Sequence, residues 1–155
     1  MNFKIIYLSS EKNSNIEILV NNYIKKIKHL ADVELFKIQN KNKSKKNKFN
    51  IDYESNLIIN QLSKNDINIL LDEKGDMYET IEFSNFIKKN FLYSSKKIVF
   101  IIGGAYGFNK ELNKTVEKKI SLSKFTFTHD MARLLLIEQI YRALTVIKNI
   151  PYHNH

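Results

Sequence analysis

Short apolar runs and amphipathic stretches alternate along almost the whole chain. Phe3 to Leu8 is a compact apolar run suited to a buried strand. From Asn13 to His29, Ile16, Leu19, Val20, Tyr23, Ile24 and Ile27 recur at helical spacing. Val33 to Ile38 reads as a second strand, and after a lysine-rich stretch Asp52 to Leu62 carries Leu57, Ile58 and Leu62 on one side of a helix. Ile67 to Leu71 reads as a third strand ending in a turn at Asp72-Glu73-Lys74-Gly75-Asp76. Thr80 is placed to cap a helix through about Phe91, with Phe83, Phe86 and Ile87 inward. Lys97 to Ile102 is continuously apolar from Ile98, as in a strand of a parallel sheet covered on both faces. Asn109 to Lys118 predicts a short helix, Lys119 to Leu122 a short strand, and His129 to Ile147 a long helix. This order predicts an α/β domain with a mostly parallel sheet flanked by helices. Ligands of such sheets sit at the carboxyl ends of strands, which singles out the segments after Leu71, Ile102 and Leu122.

Length and composition narrow the class. The 155 residues, 43% hydrophobic with 10 Phe and 8 Tyr, predict one domain over 1–155 with a single core. Zero cysteines exclude disulfide scaffolds, thiolate metal sites and cysteine nucleophiles, and no His, Asp and Glu grouping has metal-ligand spacing, so no metal is expected. Apolar runs such as Ile98–Ile102 and Leu134–Ile137 are far shorter than the ~20 residues of a membrane span. The start reaches Ser9, Ser10, Glu11 and Lys12 too soon for a secretory leader, so no membrane association and a cytoplasmic location are expected. A net charge of +9 favours a polyanionic partner, but of 25 basic residues only two are arginine, and a general lysine and asparagine bias weakens that inference. Six lysines within 37–48 read as a solvated loop or as an electrostatic arm for RNA.

Candidate chemistry clusters in the last third. Three of four glycines fall in Gly103-Gly104-Ala105-Tyr106-Gly107, directly after the most apolar strand, where they let a ligand approach bare backbone. The spacing is neither a dinucleotide fingerprint nor a P-loop. Leu122 to His129 fits a strand end with Thr128 as helix cap equally with an adenine pocket of apolar side chains and main chain. The long helix is apolar on more than one side, which requires burial in the core or against a second copy. Arg133 and Arg142 on that helix are ion-pair anchors, with Glu138 as partner, or phosphate ligands. In the tail, Pro151 and Tyr152 stiffen the chain around His153.

Four segments carry a resemblance: Phe100-Ile101-Ile102-Gly103-Gly104-Ala105-Tyr106-Gly107, Leu122 to His129, Ile137-Glu138-Gln139-Ile140-Tyr141-Arg142-Ala143, and Pro151-Tyr152-His153. In this order and spacing the chain resembles the RlmH-type (YbeA-like) large-subunit ribosomal RNA methyltransferases of the SPOUT superfamily. The resemblance implies a homodimer with a C-terminal trefoil knot that binds S-adenosylmethionine and methylates N3 of a pseudouridine in 23S ribosomal RNA of the assembled ribosome. It assigns the cofactor to Leu71, Gly103, Leu122, Ser123, Lys124, Phe125, Thr126 and Phe127, and the target base and its proton to Arg142, Tyr152 and His153. The alternatives are a SPOUT methyltransferase acting on another RNA such as tRNA, and a non-catalytic RNA- or ribosome-binding protein.

Overall fold

A computed structural model describes residues 1–8, 14–38, 48–94, 96–103 and 107–153. The elements are β1 (Asn2–Leu8), α1 (Ser14–Lys28), β2 (Asp32–Ile38), α2 (Lys48–Ile59), β3 (Ile67–Met77), α3 (Thr80–Ser94), β4 (Ile98–Ile102), α4 (Lys110–Thr115), β5 (Lys118–Ser121) and α5 (His129–Ile147). Five strands form one sheet in the order β2-β1-β4-β3-β5, and every pairing is parallel. Of the lysine-rich segment, Lys41, Lys43, Lys45 and Lys46 lie outside the described residues, as do Gly104, Ala105 and Tyr106.

Side-chain alternation along the strands divides the core in two. Phe3, Ile5 and Tyr7 of β1, Ile67 and Ile69 of β3, and Ile98, Phe100 and Ile102 of β4 pack beneath α1, α3 and α5. Ile6 and Leu8 of β1, Leu70 of β3, and Val99 and Ile101 of β4 pack with Ile58 of α2 and Leu112 of α4 on the other face. All five residues of β4 are buried, because it has a strand on each edge and helices on both faces.

Element ends depart from the sequence reading in places that have local causes. The expected turn at 72–76 is instead part of β3, which runs on to Met77 through an irregularity. Leu71 and Asp76 both lie opposite Ile120, so residues 72–75 bulge out between two stretches of pairing with β5. Ion pairs from Lys119 to Asp72 at 3.3 Å and Lys118 to Asp76 at 2.9 Å brace the bulge. The α3 cap is also corrected: Thr80 is its first residue, while the Glu79 N–H donates to the Glu82 carboxylate at 2.9 Å. The helix expected over 52–62 begins at Lys48 and ends in a tighter turn, with Gln61 N–H donating to Ile58 at 2.8 Å and Leu62 N–H to Ile59 at 3.0 Å. Asn109 caps α4 rather than belonging to it, and the helix stops at Thr115. Beyond it Glu117 N–H donates to the Asn68 carbonyl at 3.1 Å, which draws the chain onto the sheet.

Gly75 is where the bulge meets β5. A Cβ there would come within 2.6–2.7 Å of the backbone of Lys119 and Ile120, which cannot yield without breaking the pairing. Gly75→Ala therefore lowers stability by roughly 1–3 kcal/mol, the range of overpacked sites, measured as a fall in thermal midpoint relative to the unsubstituted protein.

Candidate functional site

The bulged part of β3 and the segments that follow β4 and β5 converge on one open cleft of about 1230 Å³ at the carboxyl edge of the sheet. Leu71, Asp72 and Glu73 supply one wall, Gly103 and Phe108 the base, and Leu122 to Thr128 the other wall. Seven of the eight residues assigned to the cofactor by resemblance line it; the exception, Lys124, is exposed outside the lining. Gly103 is required by packing as well, because a Cβ there would run into the Phe108 ring. The wall after β5 is shaped by short polar side chains: Ser121 Oγ donates to the Ser123 carbonyl at 2.8 Å and Phe125 N–H donates to Ser123 Oγ at 3.0 Å. This turn takes Leu122 out of the strand, so β5 ends at Ser121 rather than at Leu122. It leaves Phe125 79% exposed at the rim. Thr126 Oγ1 donates to Glu73 at 3.4 Å, joining the two walls.

Thr128 caps α5, its side chain accepting from Met131 N–H at 3.4 Å, so the positive end of a 19-residue helix opens at the cleft. Just below lies Arg133, 1% exposed. Its Nη2 donates to Glu17 at 2.6 Å and to Asp130 at 3.4 Å, and its guanidinium sits 4.4 Å over the Tyr7 ring. Burial raises the pKa of the Tyr7 phenol in spite of this cation. Glu17, not Glu138, is thus the principal partner of Arg133, and the pair pins the start of α1 to the start of α5. Removing the Glu17 carboxylate would leave the buried Arg133 cation without its main partner, the costly kind of change in such a pair. No local pattern announced a contact spanning 116 residues.

Arg142, Tyr152 and His153 are brought together, but away from the cleft. Glu138 Oε1 accepts from Arg142 Nε at 3.0 Å, from Arg142 Nη2 at 2.7 Å and from the Tyr152 hydroxyl at 3.1 Å. Arg142 lies 4.8 Å over the Tyr152 ring, and its Nη1 is 3.4 Å from His153 Nδ1. Tyr141 meets Tyr152 edge-on at 4.8 Å, and the Tyr23 hydroxyl reaches that of Tyr152 at 3.3 Å. The tail is folded down onto α5 and α1 by these contacts. From Ala132, which lines the cleft, to Arg142 is ten residues of helix, or about 15 Å of rise. One chain therefore carries its cleft and its tail cluster at separate places.

A family profile described as "Predicted SPOUT methyltransferase" matches residues 1–153. The chain belongs to the SPOUT methyltransferase family. Within it, the chain is 36% identical over 160 residues to a Christiangramia forsetii protein named ribosomal RNA large subunit methyltransferase H, with 99% of each chain covered. A protein of the same name from Phocaeicola vulgatus is 35% identical over 156 residues, again with 99% of each covered. One from Parabacteroides distasonis is 46% identical over 101 residues, covering 65% of this chain and 64% of its own. A SPOUT methyltransferase needs a methyl donor, and the three-loop cleft is the large pocket at the carboxyl edge of this sheet.

Tyr152 gives the cluster a titration signature. Burial, the Tyr23 hydrogen bond and the Glu138 carboxylate all push its phenol above the ordinary tyrosine range. Its stabilisation is complete below about pH 10 and is lost as the pH climbs through the raised folded-state value, because the unfolded chain releases that proton first. Alkaline titration of phenolate absorbance should show late-ionising tyrosines in the folded protein, and Tyr152→Phe should remove one of them.

Proposed function

We propose that the protein is an S-adenosylmethionine-dependent methyltransferase of large-subunit ribosomal RNA, acting on N3 of a pseudouridine as a homodimer with the C-terminal trefoil knot of its family. The observation that carries the reading is the convergence of the β3 bulge and the loops after β4 and β5 on one cleft, together with the full-length similarity to proteins named ribosomal RNA large subunit methyltransferase H.

The residues present fit the cofactor. Leu71, Ile102, Leu122 and Phe127 offer apolar surface to a flat base, and Gly103 offers bare backbone. Asp72, Glu73 and Asp130 also line the cleft and would offer carboxylates to the cationic part of the molecule. Ser123, Phe125 and Thr126 close one wall, with Lys124 at its outer rim. When bound, S-adenosylmethionine supplies a methyl group on a sulfonium. The protein's own task is then to align a nitrogen with that methyl and take away the N3 proton. His153 takes the proton at its imidazole, Arg142 steadies the negative charge left on the base, and Tyr152 orients the ring. Glu138 holds Arg142 and Tyr152 directly, and His153 through Arg142.

Because cleft and tail lie apart on one chain, a second copy brings the tail to the cleft. The apolar side chains Ile18 and Leu19 of α1, 58% and 47% exposed, and Met131 of α5, 38% exposed, flank the cleft end of both helices and provide the contact surface.

Subunit mixing tests the whole reading. Gly103→Val removes the cleft and His153→Ala the tail function, so each alone should fail to methylate large ribosomal subunits with a labelled donor. After mixing, half the dimers are mixed and each has one intact site, so about a quarter of the original activity should return. Two inactive variants that stay dimeric and recover nothing on mixing would refute the shared site.

A further inference from the structure

We infer that the common C-terminal end of α1 and α5 is a docking face for RNA phosphates, built around Lys25, Lys26 and Lys28. The inference rests on the proposed ribosomal RNA substrate and adds the surface that engages its backbone.

The two helices run side by side in the same direction. Glu17 meets Arg133 near their starts, Tyr23 meets Tyr141 further along at 5.9 Å, and the ends emerge together. The last turn of α1 carries Lys25, Lys26 and Lys28, all exposed. Lys148, which caps α5, is exposed as well, and Arg142 lies between them and the tail. Among the described residues, the carboxylates set near these cations are Glu138 of α5, whose Oε1 is already engaged by Arg142 and Tyr152, and Asp32 at the head of β2.

Lysines in a last helical turn also offset the helix dipole. A dipole does not account for where Lys26 sits. Its Nζ lies 5.3 Å from the Tyr23 ring centre and 5.6 Å from that of Tyr141, the two rings that pack around Tyr152. The lysine turn and the tail cluster are therefore one continuous surface, cationic and aromatic together, adjoining Arg142 and His153. A polyanion lying along the lysines would deliver its bases to the tail. Phosphate contacts of this kind fix position and register and leave base choice to the cleft and tail. The exposed apolar residues that flank the cleft, Ile18, Leu19 and Met131, lie toward the other end of these helices, so the lysine turn is not part of that apolar patch.

Direct binding of a labelled RNA hairpin, measured over a range of salt concentrations, tests the face without relying on turnover. Each phosphate neutralised contributes about 0.7–0.9 to the slope of log affinity against log salt, so replacing Lys25, Lys26 and Lys28 together by Ala should reduce that slope by about 2–3. A control with Lys64, Lys88 and Lys89 replaced, exposed lysines on the α2–β3 connection and α3, should leave the slope unchanged. An unaltered slope in the first variant, equal losses in both, or no measurable RNA binding by the unsubstituted protein at low salt would overturn the inference. Donor binding by all three proteins is read in parallel: its absence throughout would sink the proposed methyltransferase function, whereas a slope change with donor binding intact supports the face itself.

Discussion

Everything in this fold is arranged around a strand that has no exposed side. β4 is buried on both faces and hydrogen-bonded on both edges, so its apolar side chains need a helix layer above and another below. Alternation sends Ile98, Phe100 and Ile102 to the layer of α1, α3 and α5, and Val99 and Ile101 to that of α2 and α4. Its neighbours β1 and β3 are parallel to it, so their carboxyl ends rise on the same edge. The cleft exists because β5 adds to β3 in the same sense, placing a third loop beside those of β3 and β4.

The same geometry separates the cleft from the tail cluster. α5 begins at the cleft and runs back along the sheet, and the tail that follows it is pinned to its far half by Glu138, Arg142 and Tyr152. Arg133 fixes the near half to α1 through Glu17, and Tyr23 joins α1 to the tail. α1 and α5 thus form a rigid pair carrying a cleft wall at one end and the tail and the lysine turn toward the other. A single chain holds its cleft and its tail cluster apart, at opposite ends of one helix pair.

Much of this was legible in the sequence because it is written in local terms. The uninterrupted apolar run of β4, the Thr128 cap and the span of α5 follow from periodicity and side-chain chemistry, and the rule for parallel sheets pointed to the three loops that line the cleft. What was not legible depends on partners remote in sequence. Residues 72–76 read as a turn because Asp, Lys and Gly favour one; only the presence of β5 alongside makes 72–75 a bulge and Gly75 indispensable. Glu138 was offered as a partner for the arginines, and it serves Arg142, while Arg133 takes Glu17 from another helix. Composition gave only a weak pointer to RNA, through the charge and the lysine-rich segment, and the pattern over Leu122 to His129 left an adenine pocket as one of two equal readings; the methyl donor and the ribosomal RNA came from the resemblance, which family membership supports.

Hydrogen–deuterium exchange on adding S-adenosylmethionine tests the central claim, that the three-loop cleft holds the methyl donor, most directly. The account predicts slower exchange in the segments around Leu71–Asp76, Gly103 and Leu122–Thr128, with α2 unchanged. Unaltered exchange in those segments, or protection confined to the groove formed by Met1, Phe91 and Leu92, would contradict it.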